Sequence, residues 1–314
     1  MNSFEPEILP ISKAEIQQDD EFLSLVSLLD DPDVRVASAV EHRLRARGES
    51  MLHPLLDFID ISADDLAKSR ATVIAQEINE KMLVEGFENL RHKFEERKRG
   101  ALEEGVFLIA RYGYPRLDTE YYKAELDALA GMLHDRVKGI HSPAEVLASA
   151  NDFFFKTRGF KGNHEQFLEA DNSYINQVLD RRLGIPISLA VLYVLIAGHR
   201  LGLPFTGVST PGHFLIRYDG IQGEPLFVDA YNNGLILREK DIKKFLITSG
   251  LPYYESFIRP ASPRMILLRM IRNLIVLFHE KKDKESQKTF ERFQSALLGK
   301  QQEETADELE DMFE

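Results

Sequence analysis

Three residues in the second half of the chain could together carry out acyl transfer or hydrolysis. His213 follows a Pro-Gly pair, Asp229 ends a short apolar run, and Ser188 follows the sequence Gly-Ile-Pro-Ile. A carboxylate can fix the tautomer of a neighbouring imidazole, which then acts as the general base for a hydroxyl nucleophile. Ser188, His213 and Asp229 are therefore the candidate catalytic residues.

His213 directly precedes one run that predicts a strand, and Asp229 ends the next such run. Short β-type runs at 205–209, 214–218 and 226–229 are separated by turn residues. Antiparallel pairing can place His213 and Asp229 side by side on one face, since residues of one parity share a face. The pair then serves either as base and orienting acid or as a structural polar contact at the mouth of an inactive cleft.

Ser188 could act as a nucleophile only with His213 within hydrogen-bond reach, because a serine hydroxyl ionises too reluctantly by itself. The structural alternative is a hydrogen bond to backbone groups of the first helical turn, which is common for serine and is favoured here. The chain has no Gly-x-Ser-x-Gly elbow and no cysteine. Thiolate chemistry is therefore excluded.

The elements around these residues predict an α+β fold. A helix is expected from about Pro186 to Arg200, and its interior from Leu189 to Gly198 carries no charge. A helix that is apolar on every side belongs inside a core. The strands that follow would form a small antiparallel sheet against this helix.

The run from Asn172 to Leu189, Asn-Ser-Tyr-Ile-Asn-Gln-Val-Leu-Asp-Arg-Arg-Leu-Gly-Ile-Pro-Ile-Ser-Leu, resembles the SirB-type transglutaminase-like family, described as regulators of SirC expression. The runs at 108–118, 211–217, 228–234 and 264–274 continue the resemblance in the same order. It implies a papain-related, transglutaminase-like core. Active members of the wider superfamily carry a cysteine at the start of the central helix, where this chain has Pro186, Ile187 and Ser188.

We predict four regions from these patterns. Residues 1–98 form a helical N-terminal region with one HEAT-like hairpin, and residues 99–258 form the transglutaminase-like domain. Residues 259–298 form a TPR-like helical hairpin. Residues 299–314 are expected to be a disordered acidic tail, since seven carboxylates and no Lys or Arg occur between 301 and 314.

Composition narrows the partners that we expect. The net charge of −12 and the absence of a basic patch argue against nucleic acid. The nine histidines show no metal-binding spacing and no Gly-rich phosphate loop occurs, so no metal and no cofactor are expected. No apolar run reaches membrane-spanning length, and the first residues do not resemble a signal peptide. We expect a cytoplasmic protein.

The leading functional prediction is a non-catalytic transglutaminase-like protein. Its former active-site cleft, near Ser188, His213 and Asp229, would bind a protein or peptide partner in a regulatory role. One alternative is a hydrolase or acyltransferase that uses these three residues. Another is a helical scaffold without a functional cleft.

Overall fold

The computed structural model describes residues 20–220 and 224–299 and divides into two compact units, Met1–Met82 and Leu83–Glu314. Nearly all of the acidic segment predicted to be disordered lies outside the described residues. The site predicted from the sequence belongs entirely to the second unit. The two units are described separately.

The first unit is helical. Its helices are α1 (Asp20–Val26), α2 (Val34–Arg47), α3 (Leu52–Ile61) and the first part of α4 (Asp65–Glu95). Helix α2 begins where the Asp33 carboxylate accepts the N–H of Arg35, and it ends at Gly48, whose φ is 62°. Asp33 and Gly48 are residue types typical of a helix start and a helix end.

The second unit surrounds one long buried helix. Its preceding helices are α5 (Ala101–Gly113), α6 (Thr119–Val137), α7 (Pro143–Asn151) and α8 (Ile175–Arg181). The central helix α9 (Pro186–Tyr193) continues as a π-helical stretch over Val194–Arg200. Every side chain from Ile187 to Ala197 is buried, which confirms the prediction of a core helix.

The π-helical stretch was not predicted. It contains Gly198, where a Cβ atom would lie 2.6 Å from the carbonyl oxygen of Phe205. The missing side chain therefore allows the helix to approach the first strand of the sheet closely. A uniformly apolar helix shows no periodicity, so its sequence could not distinguish the two helix types.

The sheet of the second unit has four antiparallel strands in chain order: β3 (Phe205–Thr210), β4 (His213–Tyr218), β5 (Leu226–Asp229) and β6 (Leu235–Leu237). Strands β4 and β5 pair with Ile216 opposite Val228. Two earlier strands, β1 (Lys161–Gly162) and β2 (Leu183–Gly184), form a short parallel pair that was not predicted, because two residues show no alternation. Helix α10 (Glu239–Thr248) follows β6. The α+β prediction is confirmed.

Two helices complete the second unit, α11 (Pro263–Glu280) and α12 (Lys284–Leu298). The predicted stripe on α11 is buried, with Leu267, Ile271 and Leu274 each at 0% exposure. Helix α11 packs closely on α5 at Gly105, where a Cβ atom would lie 2.2 Å from the Leu267 side chain. This contact fixes the helix whose outer residues line the candidate site described below.

We expect Gly105→Ala to lower the free energy of unfolding by about 1 to 3 kcal/mol, because the added methyl group overpacks a buried helix contact. The matched control is Gly131→Ala in α6, where no atom lies within 4 Å of the added Cβ. That change should raise stability by about 0.5 to 1 kcal/mol through helix propensity. Denaturant unfolding measures both. Equal effects of the two substitutions would contradict the close packing of α11 on α5.

Candidate functional site

The Ser188 side chain is committed to the backbone at the start of α9. Its hydroxyl donates to the carbonyl oxygen of Asn172 at 2.6 Å and accepts the Ile185 N–H at 3.0 Å. The carbonyl oxygen of Ile185 lies 3.1 Å away as a second acceptor. Ser188 is fully buried, and none of its hydrogen bonds involves His213. This is the backbone bonding that the structural alternative described.

Asn172 connects the start of α9 to the loop that follows β1. Its side-chain amide donates to the carbonyl oxygens of Gln166 and Phe167, and its Oδ1 accepts from Asn163 Nδ2 at 3.0 Å. Asn163 Oδ1 in turn accepts the N–H of Gln166. Both asparagines are buried. The polar pair therefore holds the 163–172 loop in one conformation, with Phe167 exposed beside the helix start.

His213 and Asp229 lie on the same face of the sheet, as the alternation of side chains along the strands predicted. Nε2 of His213 lies 2.9 Å from Oδ1 of Asp229. This distance is short enough for an ion pair, but the angle at the His213 Nε2 does not fit a hydrogen bond to Asp229. The His213 and Asp229 side chains are 18% and 7% exposed. The Tyr231 ring lies edge-on to the imidazole, with 6.5 Å between ring centroids.

Asp229 also organises the turn between β5 and β6. Its Oδ1 accepts the N–H groups of Tyr231 and Asn232, and its Oδ2 accepts Asn232 Nδ2 at 2.7 Å. Burial by itself raises the pKa of Asp229, but the His213 contact and the Asn232 hydrogen bonds together outweigh burial and lower that pKa. Asp229 is therefore an ionised carboxylate with both a structural and an electrostatic role.

A cleft of about 210 Å³ opens at the start of α9, next to His213. One side is formed by the beginning of the central helix, through Ile185, Pro186 and Ile187. The β3–β4 turn contributes Gly212 and His213. The floor of the cleft at the start of α9 is therefore apolar.

The opposite sides of the cleft come from two other segments. The 163–172 loop and the residue after it contribute Phe167, Leu168 and Ser173. Helix α11 contributes Arg269, Asn273, Val276, Leu277 and Glu280. Val276 is 50% exposed, so part of the apolar wall faces solvent. The cleft is smaller than the 300 to 1,000 Å³ typical of drug-sized ligand pockets, and its size suits a single side chain.

The structure brings two of the three candidate residues together, His213 and Asp229, while the Ser188 hydroxyl is bonded elsewhere. Sequence reasoning did not assign a role to Ser173 or to the α11 residues Arg269 and Asn273. Ser173, Arg269 and Asn273 all belong to runs that carry the family resemblance, which was the available signal for them. Only the packing of α11 brings Arg269 and Asn273 to the cleft.

Comparison with known families agrees with this architecture. Residues 120–272 match the family model of the transglutaminase-like superfamily. This match contains α8, the central helix, the sheet and the start of α11 as far as Arg272. The chain therefore contains a transglutaminase-like domain.

Curated relatives are similar to this chain over part of its length. A UPF0162 protein of Xylella fastidiosa is 38% identical over 54% of this chain and 62% of its own length. The protein SirB1 of Salmonella typhimurium is 27% identical over 45% of this chain and 53% of its own. The human F-box only protein 21 is 30% identical over 55% of this chain and 32% of its own. These matches confirm the SirB-type resemblance, and the chain spans about three fifths of the first of these relatives.

No solved structure matches the chain. Within residues 20–220 and 224–299, no helix combines the length and apolar character needed to cross a membrane. The same residues contain no group of three or more His, Asp or Glu side chains arranged to hold a metal ion.

We expect Ser188→Ala to lower the free energy of unfolding by about 1 to 3 kcal/mol. It removes the hydroxyl's hydrogen bonds to the Ile185 N–H and the Asn172 carbonyl oxygen and leaves only the 3.4 Å contact between those two buried groups. Ser295→Ala, at an exposed position of α12, is the matched control and should change stability by less than about 0.5 kcal/mol. Denaturant unfolding measures both. We also expect no labelling of the wild type by a serine-directed fluorophosphonate. Labelling that Ser188→Ala abolishes would contradict a purely structural Ser188.

We expect Asp229→Asn to destabilise the protein in a pH-dependent way. Because the pKa of Asp229 is lowered on folding from its ordinary value of 3.8, its charge stabilises the folded state above that pH. The stability difference from the wild type should be largest above about pH 5 and shrink as the pH falls below the ordinary value. Unfolding curves across this range test it, with the exposed Glu165→Gln as control. A pH-independent difference would show that the charge is unimportant.

Proposed function

We propose that this protein is a non-catalytic member of the SirB-type transglutaminase-like proteins and that its cleft binds a peptide segment of a protein partner. The observation that carries the proposal is the cleft itself. It is open, mainly apolar and placed at the start of the central helix, where Pro186 and Ile187 line it. Peptide side chains are the natural occupants of a cavity of this size and character.

The bonding of the polar residues supports binding over catalysis. The Ser188 proton is directed to a backbone carbonyl, so His213 would have to compete with a 2.6 Å hydrogen bond to remove it. His213 and Asp229 instead form a fixed polar rim between the sheet and the cleft. A rigid rim beside an apolar floor orients a ligand without reacting with it.

The relatives are compatible with a regulatory role of this kind. They include UPF0162 proteins, SirB1 and F-box only protein 21. A regulatory protein acts through an affinity for another macromolecule, which the cleft would provide. We place this activity in the cytoplasm, as the composition of the chain led us to expect.

The serine-dependent hydrolase or acyltransferase remains the second candidate, because the His213 and Asp229 contact is the one that such an enzyme needs. It would require Ser188 to leave its hydrogen bonds at the start of α9. The fluorophosphonate experiment with Ser188→Ala separates this enzyme from the binding protein.

The cleft can be blocked without disturbing the core. Val276 lies in the cleft wall and is half-exposed, so Val276→Arg should place a long charged side chain across the opening. We expect peptides selected from a displayed random library on the wild type to lose at least about tenfold in affinity for this variant. His213→Ala should also lower the affinity of these peptides.

The matched control is Ile247→Arg, a similar change at a 60% exposed position of α10 that does not line the cleft. It should leave peptide affinity unchanged. Fluorescence anisotropy with labelled peptides measures all three variants, and circular dichroism verifies that they fold. Unchanged affinity for Val276→Arg would favour the scaffold alternative, in which the cleft has no function.

A further inference from the structure

The Ser173 hydroxyl in the cleft differs from that of Ser188. Ser173 lines the cleft and is only 2% exposed. Its N–H donates to the carbonyl oxygen of Ala170. Within the described part of the chain, however, no group forms a hydrogen bond with its hydroxyl. The hydroxyl is therefore free to bond water or a ligand in the cleft.

The first turn of α9 presents a further free donor at the cleft. Leu189 is the first residue of α9 whose N–H finds an acceptor, the carbonyl oxygen of Ile185. The N–H of the cleft-lining Ile187 precedes it and has no acceptor among the described residues. Such orphan amides, together with the helix dipole, attract negative charge to a helix start.

The charge of the Arg269 guanidinium favours binding of an anion in the cleft. Arg269 lines the cleft from α11, whereas His213, which lines it from the sheet, lies 2.9 Å from the Asp229 carboxylate. The one carboxylate in the cleft wall, Glu280, is exposed and lies at the last residue of α11. It therefore stands far along the wall from Arg269, near the exposed apolar Val276.

We infer that the cleft binds the C-terminal carboxylate of a partner peptide whose last side chain is apolar. This inference rests on the proposed peptide-binding function. The carboxylate would accept hydrogen bonds from the Ser173 hydroxyl and the Ile187 amide. The last side chain would occupy the apolar part of the cleft, between Val276 and Leu277 and the exposed Phe167 and Leu168.

A chain terminus fits this arrangement better than an internal Asp or Glu. The same cleft contains hydrogen-bond donors for an anion and an apolar wall. A C-terminal Leu, Ile, Met or Phe carries its carboxylate and its apolar side chain on the same Cα atom, whereas an Asp or Glu side chain supplies only the anion. Capture of a terminal carboxylate by backbone N–H groups is a recurring mode of peptide recognition.

Two random heptapeptide libraries, one with free carboxyl ends and one with C-terminal carboxamides, test the inference on the full chain. We expect binders from the carboxylate library to end in an apolar residue. The same sequences as carboxamides should bind at least about tenfold more weakly, because charge-assisted hydrogen bonds are lost. Val276→Arg should abolish both kinds of binding. Equal affinity of acid and amide, with loss in Val276→Arg, would overturn the inference and leave the proposed function standing.

The Ser173→Ala variant adds a test of the individual hydroxyl. It should lower the affinity for peptides with a free C-terminal carboxylate about tenfold. The free protein should be as stable as the wild type or slightly more stable, because the hydroxyl has no hydrogen-bond partner to lose. A merely structural serine would instead lower stability, as we expect of Ser188→Ala. Ser209→Ala, in β3 and outside the cleft, should change neither property. Failure of both libraries to bind the wild type at millimolar concentration would overturn the inference together with the proposed function.

Discussion

The start of the buried central helix imposes the main physical constraint on this domain. A helix that begins inside a core exposes N–H groups that water cannot reach, and each one needs a partner. Ser188 meets part of this need by joining Ile185 to the carbonyl oxygen of Asn172. Asn172 then bonds the backbone of the preceding loop, so one short chain of hydrogen bonds positions both the helix and a cleft wall.

The same constraint separates the structural groups from those available to a ligand. The Ser188 hydroxyl donates its hydrogen bond to a backbone carbonyl oxygen. The Ser173 hydroxyl and the Ile187 amide, in contrast, have no partners within the described residues. In a thiol enzyme, a helix start favours the thiolate because the dipole stabilises its negative charge. Loss of the thiol does not remove the electrostatic field of the helix dipole. The positive end of the helix then remains available to an anion that a partner brings.

Much of this architecture could be predicted from residues close together in sequence. The Asp33 cap, the uncharged interior of α9 and the strand parity that brings His213 to Asp229 all depend on local patterns. The cleft could not be predicted in the same way. Its α11 wall depends on the packing of Leu267 against Gly105, two residues far apart in the chain. The free Ser173 hydroxyl could be recognised only when its possible partners had been located.

The composite origin of the cleft favours a recognition role. Its floor comes from the central helix, its rim from the sheet, one wall from the 163–172 loop and another from α11. Catalysis would need a reactive group held by this framework, and the three aligned positions offer only a serine that the framework itself uses. Binding needs only that the walls keep their spacing, which the buried contacts of Asn172 and Leu267 ensure. A fold that has lost its nucleophile can therefore keep its site as long as that packing persists, because specificity depends on the placement of donors and apolar walls.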